Sequence, residues 1–515
     1  MAKRKKRRAG TVILIILIIL ILLFAAAAAA YFIMKPKTDP ASALDSLLSS
    51  VSAETPSGLS GADALIAEAA KSQFKIEADG QITQSYRNAA GNIIITQFDE
   101  QALGADIAAE MQELMAQFVA EASRPSEIYS DDGSFLPELT EEAYTEIITG
   151  RLEHAENYRT SYELPVTLSY SKDQWQLDGM DKLLSAAKLS PASMPGYEEA
   201  VSALEYIDFH YRLDDWTSPG PVPDSGCYGE TDDPQVILDL LETETAKKLI
   251  NGQSLDFNPD DLLPGRSIHY YLDETILALV WQEDEHGAVG TFAETFIADA
   301  SQLRRKIVND TFRALTYCFP TDLSAQANAV VAVSGDFYDH PDRIFGIYAY
   351  DGQVKLTSLT KGQTCFFTDE GDMLFTYENQ FATDEEAQKF MDENRAMFSV
   401  SFGPVMVENG VDVTPYDYPL GEVLDTYARC AFGQLGHLHY LAMTINCEEP
   451  DHYVYVTLRQ AADSMIAHGC INAYTLDGGQ TGSIIIGNQL INPVQFGRER
   501  EMSDIIYFAT AIPND

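Results

Sequence analysis

Positive charge is scarce in this 515-residue chain, which has 34 Lys and Arg against 78 Asp and Glu and a formal net charge of −44. Eight of the basic residues lie within the first 37 positions, where no acid occurs, so the rest of the chain is more acidic still. A field of this sign repels nucleic acids, anionic lipids and other polyanions. The composition therefore excludes nucleic acid as a partner. The same negative charge attracts cations such as calcium and keeps the folded domains soluble.

Cysteine is also scarce, with six residues in the whole chain. No Cys-x-x-Cys pair or Cys/His spacing of the kind that binds zinc is present. The cysteines are therefore expected to be buried thiols, with one disulfide bridge as the alternative, and their connectivity cannot be read from the sequence.

An apolar run at residues 11–34 follows a basic block that contains six Lys or Arg in the first ten residues. The run is long enough to cross a bilayer as a helix, and the basic flank favours a cytoplasmic N-terminus. A cleavable signal peptide is the alternative, because the alanines at 25–30 offer a cleavage site. The run is longer than the apolar region of a signal peptide, so we predict a retained, single-pass anchor in the cell membrane. Residues 1–10 would then be a cytoplasmic tail, and everything beyond the anchor would be extracytoplasmic.

The remaining chain is predicted to hold two α+β units. Residues 35–60 are rich in Pro, Ser and Ala and indicate a linker. Residues 61–190 combine helical spacing, with Thr140 as a candidate N-cap, and a strand pair in "YELPVTLSYSKDQWQLD". This pattern is similar to that of small NTF2-like domains. Residues 191–265 indicate a connector with one helix at 233–249, and residues 266–515 a larger mixed α/β domain.

The stretch "NAYTLDGGQTGSIIIGN" places Asp477, Gly478 and Gly479 between two strand-like runs at 473–476 and 483–486. Asp-Gly is a favoured hairpin turn, so a plain hairpin is one interpretation. Glycine also lets backbone approach a ligand closely, so an acid presented to a ligand is the other. This stretch alone does not separate the two.

Five segments, in order, resemble motifs of the phosphodiester glycosidase family. "VVAVSGDFYD" is similar to its N-G-x-F segment, "SFGPVMVENG" to F-G-P-x-L-V-x-x-G, "ARCAFGQ" to R-T-A-x-G, and "GCINAYTLDGGQTG" to G-C-x-x-A-x-x-L-D-G-G-x-S. The closing "REREMSDIIYF" resembles a recurring ending of the family. The resemblance covers about residues 265–515. It implies an enzyme that cleaves a glycosyl-1-phosphodiester, and it favours the site interpretation of Asp477.

Such cleavage needs a group that neutralises phosphate, stabilisation of an oxocarbenium-like sugar, and an acid/base that handles water and leaving group. The resemblance implies Asp477 as base or cation ligand, Arg429 as phosphate ligand and Asp336 as a further carboxylate. The predicted substrate-binding residues are Gly335, Gly478, Gly479, Thr481, His439 and Arg500. Asp339 is the predicted metal ligand, with calcium as the candidate ion.

Several of these residues also have a structural interpretation. Arg429 is a candidate for a structural ion pair, Asp336 and Asp339 for turn caps, and Arg500 for a pair with Asp504. His437 and His439, two apart on a predicted strand, would share one face.

Two departures from the family pattern bear on activity. Ser334 stands where the family has Asn before the glycine, and Asn446 stands where it commonly has Asp. The sequence therefore supports two hypotheses. The first is a membrane-anchored phosphodiester glycosidase acting on cell-envelope or exopolysaccharide phosphodiesters. The second is a non-catalytic envelope protein that uses the same fold to bind a glycan or a protein.

Overall fold

The computed structural model describes residues 2–130, 132–310, 317–336, 345–446 and 456–514, without the side chains of 2–11 and 422. Over these residues the chain has the mixed α+β fold predicted from the sequence. The helices are α1 (Ala2–Met34), α2 (Pro40–Leu48), α3 (Gly61–Gln73), α4 (Glu100–Glu121), α5 (Pro137–Leu152), α6 (Met180–Ala186), α7 (Tyr197–Ser202), α8 (Pro234–Leu241), α9 (Glu244–Ile250), α10 (Pro320–Ala327), α11 (Asp384–Asn394) and α12 (Leu458–Ala467).

The strands are β1 (Lys75–Ala78), β2 (Thr83–Ser85), β3 (Asn88–Phe98), β4 (Arg159–Ser171), β5 (Gln174–Asp178), β6 (Tyr228–Thr231), β7 (Ile268–Leu272), β8 (Ile276–Glu285), β9 (Ala288–Ile297), β10 (Leu303–Ile307), β11 (Val331–Ser334), β12 (Gly346–Tyr350), β13 (Gln353–Ser358), β14 (Thr364–Thr368), β15 (Met373–Thr376), β16 (Ala396–Val400), β17 (Val405–Glu408), β18 (Val411–Asp412), β19 (Arg429–Gly436), β20 (His439–Asn446), β21 (Asn472–Leu476), β22 (Ile484–Ile486), β23 (Gln489–Leu490) and β24 (Asp504–Phe508).

The predicted apolar helix is present as α1. Its segment Val12–Met34 is long and apolar enough to cross a membrane, and none of it is buried inside the protein. A helix with apolar residues on all sides and no burial inside the protein fits a lipid environment. Retention of the anchor and its orientation stay predictions.

The first of two compact units comprises residues 1–208. Its antiparallel sheet has the order β1-β3-β4-β5, with β2 also pairing β3, and the predicted strand pair at 159–178 is present as β4 and β5. The prediction of Thr140 as an N-cap is wrong, because α5 begins one turn earlier at Pro137. Thr140 instead lies inside the helix, where its hydroxyl contacts the carbonyl of Pro137 and the hydroxyl of Tyr197.

The second unit comprises residues 209–515 and is built on a nine-stranded antiparallel sheet of order β18-β17-β21-β19-β20-β9-β8-β7-β6. Both faces of this sheet are buried. Along β8, Leu277 and Leu279 join one apolar core, while Ala278 and Val280 join the other. Burial of both faces explains why these strands read as continuous apolar runs rather than as alternating ones.

Different layers cover the two faces of the nine-stranded sheet. Helices α8, α9 and α12 contribute to the first core, for example through Ile237, Leu249 and Met465. A five-stranded sheet of order β10-β24-β11-β22-β23 contributes to the second core, for example through Val331 and Ile506. The single helix predicted at 233–249 is two short helices, each with its own N-cap, Asp233 and Thr243.

The five cysteines in the described part of the chain carry free thiols; Cys365, Cys430 and Cys470 are buried, as the sequence predicts, whereas Cys227 and Cys318 are only partly buried. Cys447 lies outside the described residues.

Candidate active site

The segment between Asp477 and Ser483 crosses from one sheet to the other. Strand β21 before it pairs with β17 and β19 in the nine-stranded sheet, whereas β22 after it pairs with β11 and β23 in the five-stranded sheet. The two strands are therefore not paired, and the hairpin interpretation of the Asp-Gly-Gly sequence is wrong. The crossing places Asp477 at the carboxyl end of a central strand.

Both glycines of the crossing occupy positions where a side chain would clash. A Cβ on Gly478 would lie 2.5 Å from the carbonyl oxygen of Ala428, a backbone atom that cannot move aside on its own. Gly479 has a φ of 69°, in the left-handed region, and a Cβ there would lie 2.6 Å from the ring of Tyr427. Close backbone packing thus accounts for both glycines. The binding of substrate by their amides stays a prediction.

Two of the residues that depart from the family pattern, Ser334 and Asn446, hold this crossing in place. The Ser334 hydroxyl accepts from the Ser483 amide at 2.8 Å and donates to the Thr481 carbonyl at 2.8 Å. The Asn446 side-chain amide donates to the Gly479 carbonyl at 3.0 Å. All three hydrogen bonds are buried, so Ser334 and Asn446 take part in shaping the site.

A cavity of about 300 Å³ opens beside this crossing. It contains five of the predicted site residues, namely Asp477, Arg429, Gly478, Thr481 and Arg500. The other described lining residues are Phe402, Leu420, Val423, Tyr427, Ala428, Thr475, Leu476, Gln480, Gln495 and Phe496. The site is therefore a small, partly apolar cavity with a few charged groups, as small-molecule sites generally are.

The described residues that line the cavity carry a net positive charge, opposite in sign to that of the chain. Asp477 is the only carboxylate among the described lining residues, and two guanidinium groups, Arg429 and Arg500, line the same cavity. In a chain with more than twice as many acids as bases, this local excess of positive charge favours an anionic ligand.

Arg429 is nevertheless held mainly by the protein itself. It is 5% exposed, and its guanidinium donates to the main-chain carbonyls of Val423 at 2.8 Å, Val456 at 3.2 Å and also Asp425. Burial lowers the pKa of Arg429 to about 10 despite the raising effect of the Asp425 charge, so the group stays protonated at neutral pH. Carbonyl oxygens do not neutralise this charge, so Arg429 orders the cavity wall and still contributes a positive potential. The structural ion pair considered from the sequence is replaced by these carbonyl contacts.

Asp336 is not among the described residues that line the cavity, and its role as a catalytic carboxylate stays a prediction. Its carboxylate accepts from the Ser401 amide at 2.8 Å and lies 3.4 Å from Arg305, which also pairs with Asp504 at 2.5 Å. All three charged side chains are fully buried. Burial opposes the charge of Arg305, but the two carboxylates and Tyr348 outweigh it and raise its pKa above its usual range. Asp336 is therefore part of a structural ion cluster.

Gly335 belongs to the same cluster rather than to the cavity lining. A Cβ at this position would lie 2.5 Å from the Asp504 carboxylate, so glycine is required for the cluster to pack. Its role in substrate binding stays a prediction. Gly479 is likewise absent from the described cavity lining.

His439 lies at the other end of β20 from the residues that approach the cavity, and its role as a substrate ligand stays a prediction. Its Nε2 pairs with the buried carboxylate of Glu294 at 2.7 Å. His437 lies in the turn before β20, so the two histidines do not share a strand face as predicted. Asp339, the predicted metal ligand, lies outside the described residues.

A second cluster of ionisable groups lies apart from the cavity lining. Glu283, Glu285 and His468 bring three atoms capable of binding a metal within 4.8 Å of one another. The other ring nitrogen of His468 contacts Asp256. Burial opposes the charge of His468, but the hydrogen bonds with Asp256 and Glu285 outweigh it and raise its pKa to about 10. The protonated imidazole therefore serves as the cation that neutralises these acids.

Several residues that line the cavity were not predicted from the sequence. Thr475 precedes Asp477 by two positions on a strand, so the alternation of side chains was a usable signal that both face the same side. Tyr427 lies between strands, and Gln495 and Phe496 lie in a single 3-10 turn, Gln495–Gly497, and neither is long enough for periodicity to indicate which way a side chain points.

Comparison with known proteins supports the resemblance seen in the motifs. Residues 327–509 match the model of the phosphodiester glycosidase (NAGPA) family, and this segment lies within the part of the chain whose motifs resemble that family. No curated protein matches the chain.

Two solved structures are similar to part of the chain. The zebrafish N-acetylglucosamine-1-phosphodiester alpha-N-acetylglucosaminidase catalytic domain, auto-inhibited by its pro-peptide, is 15% identical over 46% of this chain and 84% of its own length, with a TM-score of 0.37. A hypothetical protein from Synechocystis is 12% identical over 45% of this chain, with a TM-score of 0.33. The match spans 62% of the length of the Synechocystis protein.

Proposed function

We propose that this protein is a membrane-anchored, extracytoplasmic phosphodiester glycosidase that hydrolyses a glycosyl-1-phosphodiester in cell-envelope or exopolysaccharide metabolism. The observation that carries the proposal is the cavity inside the family-matched segment, where Asp477 faces the same space as Arg429 and Arg500. The two arginines suit the negative charge of a phosphodiester, and the carboxylate of Asp477 suits a base that activates water for attack on the anomeric carbon.

In the proposed reaction, Asp477 takes a proton from water as the water oxygen forms a bond to the anomeric carbon. The bond between that carbon and the phosphate oxygen breaks, and its electron pair leaves with the phosphate. The charges of Arg429 and Arg500 stabilise the departing phosphomonoester. A phosphomonoester has a second pKa of about 6 and can leave as an anion. It therefore needs no second carboxylic acid to protonate it, unlike an ordinary sugar leaving group.

The second candidate is a non-catalytic envelope protein that binds a glycan or protein partner through the same cavity. Two observations favour it: Asp336 is engaged in an ion cluster, and Arg429 is engaged by main-chain carbonyls. Both predicted catalytic partners of Asp477 therefore have structural roles that a binding protein would equally need.

Turnover separates the two candidates. The detergent-solubilised full chain is incubated with α- and β-linked sugar-1-phosphodiesters, in chelator and in millimolar calcium, and the released free sugar is quantified. The enzyme proposal predicts release from at least one substrate. Binding of the same compounds without release would establish the binding protein instead. Dependence of release on calcium would support the predicted cation, whereas equal rates in chelator would remove it.

A further inference from the structure

One buried hydroxyl in the cavity lacks a hydrogen-bond partner among the described residues. Thr475 is 2% exposed and lines the cavity, and its Oγ1 makes no hydrogen bond to any described group. A buried hydroxyl without a partner is unfavourable, because it has lost its hydrogen bonds to water. A ligand with hydroxyl groups would restore that hydrogen bond.

An aromatic ring lines the same cavity on a strained backbone. Phe496 has a φ of 63°, in the left-handed region that bulky residues rarely adopt, and its side chain is 58% exposed. The preceding residue, Gln495, is buried and accepts from the Tyr427 hydroxyl at 2.9 Å. The hydrogen bond between Gln495 and Tyr427 fixes the turn that places the Phe496 ring at the cavity. Strain retained in the chain beside a ligand cavity is typical of a functional position.

The two features together match one class of ligand. A pyranose ring has an apolar face of C–H bonds, which suits an aromatic ring, and hydroxyl groups at its edge, which suit Thr475. The cavity volume of about 300 Å³ is at the lower end of the range of small-molecule sites, about 300–1,000 Å³. It therefore suits a single sugar unit with its phosphate better than a longer glycan.

We propose that Thr475 and Phe496 form the sugar subsite of the cavity, with Thr475 Oγ1 hydrogen-bonded to a sugar hydroxyl and the Phe496 ring against the sugar face. The inference rests on the proposed function and assigns the sugar end of the substrate to these residues, while the phosphate lies toward the arginines. Both are positioning residues for the sugar and take no part in proton transfer.

The test compares binding of sugar-1-phosphates and of inorganic phosphate to the full chain in detergent by calorimetry. Thr475→Val removes the hydroxyl at nearly constant shape, and Phe496→Gly removes the ring while suiting the left-handed backbone. Each variant is expected to weaken binding of N-acetylglucosamine-1-phosphate or glucose-1-phosphate about ten-fold, with phosphate binding unchanged. Thr475→Ser and Phe496→Tyr, which keep the hydroxyl and the ring, should restore most of the affinity.

Thr444 supplies a matched control. It is a buried threonine on the neighbouring part of the same sheet, its Oγ1 also lacks a partner among the described groups, and it does not line the cavity. Thr444→Val should leave sugar-phosphate binding unchanged. Because each Thr→Val change removes an unsatisfied hydroxyl, neither should lower the melting temperature of the ligand-free chain.

The outcomes separate this subsite from the proposed enzyme activity. If the wild-type chain binds sugar-1-phosphates through Thr475 and Phe496 but hydrolyses no phosphodiester, the subsite stands and the enzyme proposal fails. Unchanged affinity in both Thr475→Val and Phe496→Gly overturns the subsite even if the wild type is an active hydrolase. Failure of the wild type to bind any sugar-1-phosphate more tightly than phosphate also overturns it.

Discussion

At the scale of single residues, Asp336 and Asp477 are both carboxylates that follow a strand, but their neighbours differ. Asp336 is enclosed by Arg305 and Ser401 within a fully buried ion cluster, whereas Asp477 faces a cavity. Removing one member of a buried ion pair leaves an uncompensated charge, which is far more costly than removing an acid that faces a cavity.

We therefore expect Asp336→Asn to lower the free energy of unfolding by about 3 kcal/mol. Arg305 would keep Asp504 as a partner but lose half of its compensating charge. Denaturant unfolding of the full chain in detergent measures the change, with Asp417→Asn, an exposed acid, as the control for loss of one charge. Equal stability of Asp336→Asn and the control would show that the cluster is not needed for folding.

At the scale of elements, the crossing between the two sheets depends on close backbone contact at Gly478. Gly478→Ala would place a methyl group 2.5 Å from the Ala428 carbonyl, so β19 and the crossing must separate. We expect a loss of about 1–3 kcal/mol in stability together with loss of ligand binding, because Asp477 and Arg429 lie on either side of the contact.

Gly482→Ala is the matched control for that change. A Cβ on Gly482 would meet its nearest atom at 3.4 Å, which is an ordinary contact, so the same substitution a few residues away should be tolerated. Melting temperatures and calorimetric binding of both variants test this. A stable, fully binding Gly478→Ala chain would contradict the packing explanation.

The ion cluster around His468 joins three elements. His468 lies at the C-terminal end of α12, Glu283 and Glu285 lie on β8, and Asp256 lies in the segment before β7. The folded-state pKa of His468, about 10, lies above the unfolded value of about 6.5. The protonated imidazole therefore stabilises the fold fully below about pH 6.5, and this contribution is lost as pH rises toward 10 and beyond.

We accordingly expect the free energy of unfolding of the wild type to fall by on the order of 3 kcal/mol between pH 7 and pH 10. The His468→Gln variant should not show this loss. Urea unfolding at both pH values, with the two chains compared at each, isolates the histidine from other titrating groups. Parallel pH profiles for the two chains would mean that the imidazole is neutral in the folded state.

The elements also show how far the sequence could predict the fold. Long periodic segments such as α4 and the β4–β5 pair were recognisable because their side chains repeat at helical or strand spacing. The Asp477 crossing was ambiguous because Asp-Gly-Gly suits a turn and a close approach equally, and pairing of β21 and β22 with different sheets depends on distant strands. The ion pair of Asp336 could not be predicted because Arg305, its partner, lies 31 positions earlier in the chain and no local pattern connects the two.

At the scale of the whole molecule, the N-terminal helix and the acidic remainder of the chain predict a single-pass arrangement. Protease added to intact cells without an outer barrier should digest the C-terminal domain and leave a short membrane-bound fragment that contains residues 12–34. A domain that stays protected would contradict the predicted orientation. Mature protein that begins after the alanines at 25–30 would show that the anchor is cleaved.

The central claim is that the cavity beside Asp477 performs hydrolysis, and Asp477→Asn tests it most directly. The substitution removes one charge with almost no change in shape, so the fold should be retained. The measurement is the rate of sugar release from the best sugar-1-phosphodiester, taken together with the melting temperature, and with Asp417→Asn as the charge-matched control. We predict that the rate falls about 100-fold or more while the melting temperature does not fall. A variant that keeps the wild-type rate would contradict the account and return Asp477 to a purely structural role.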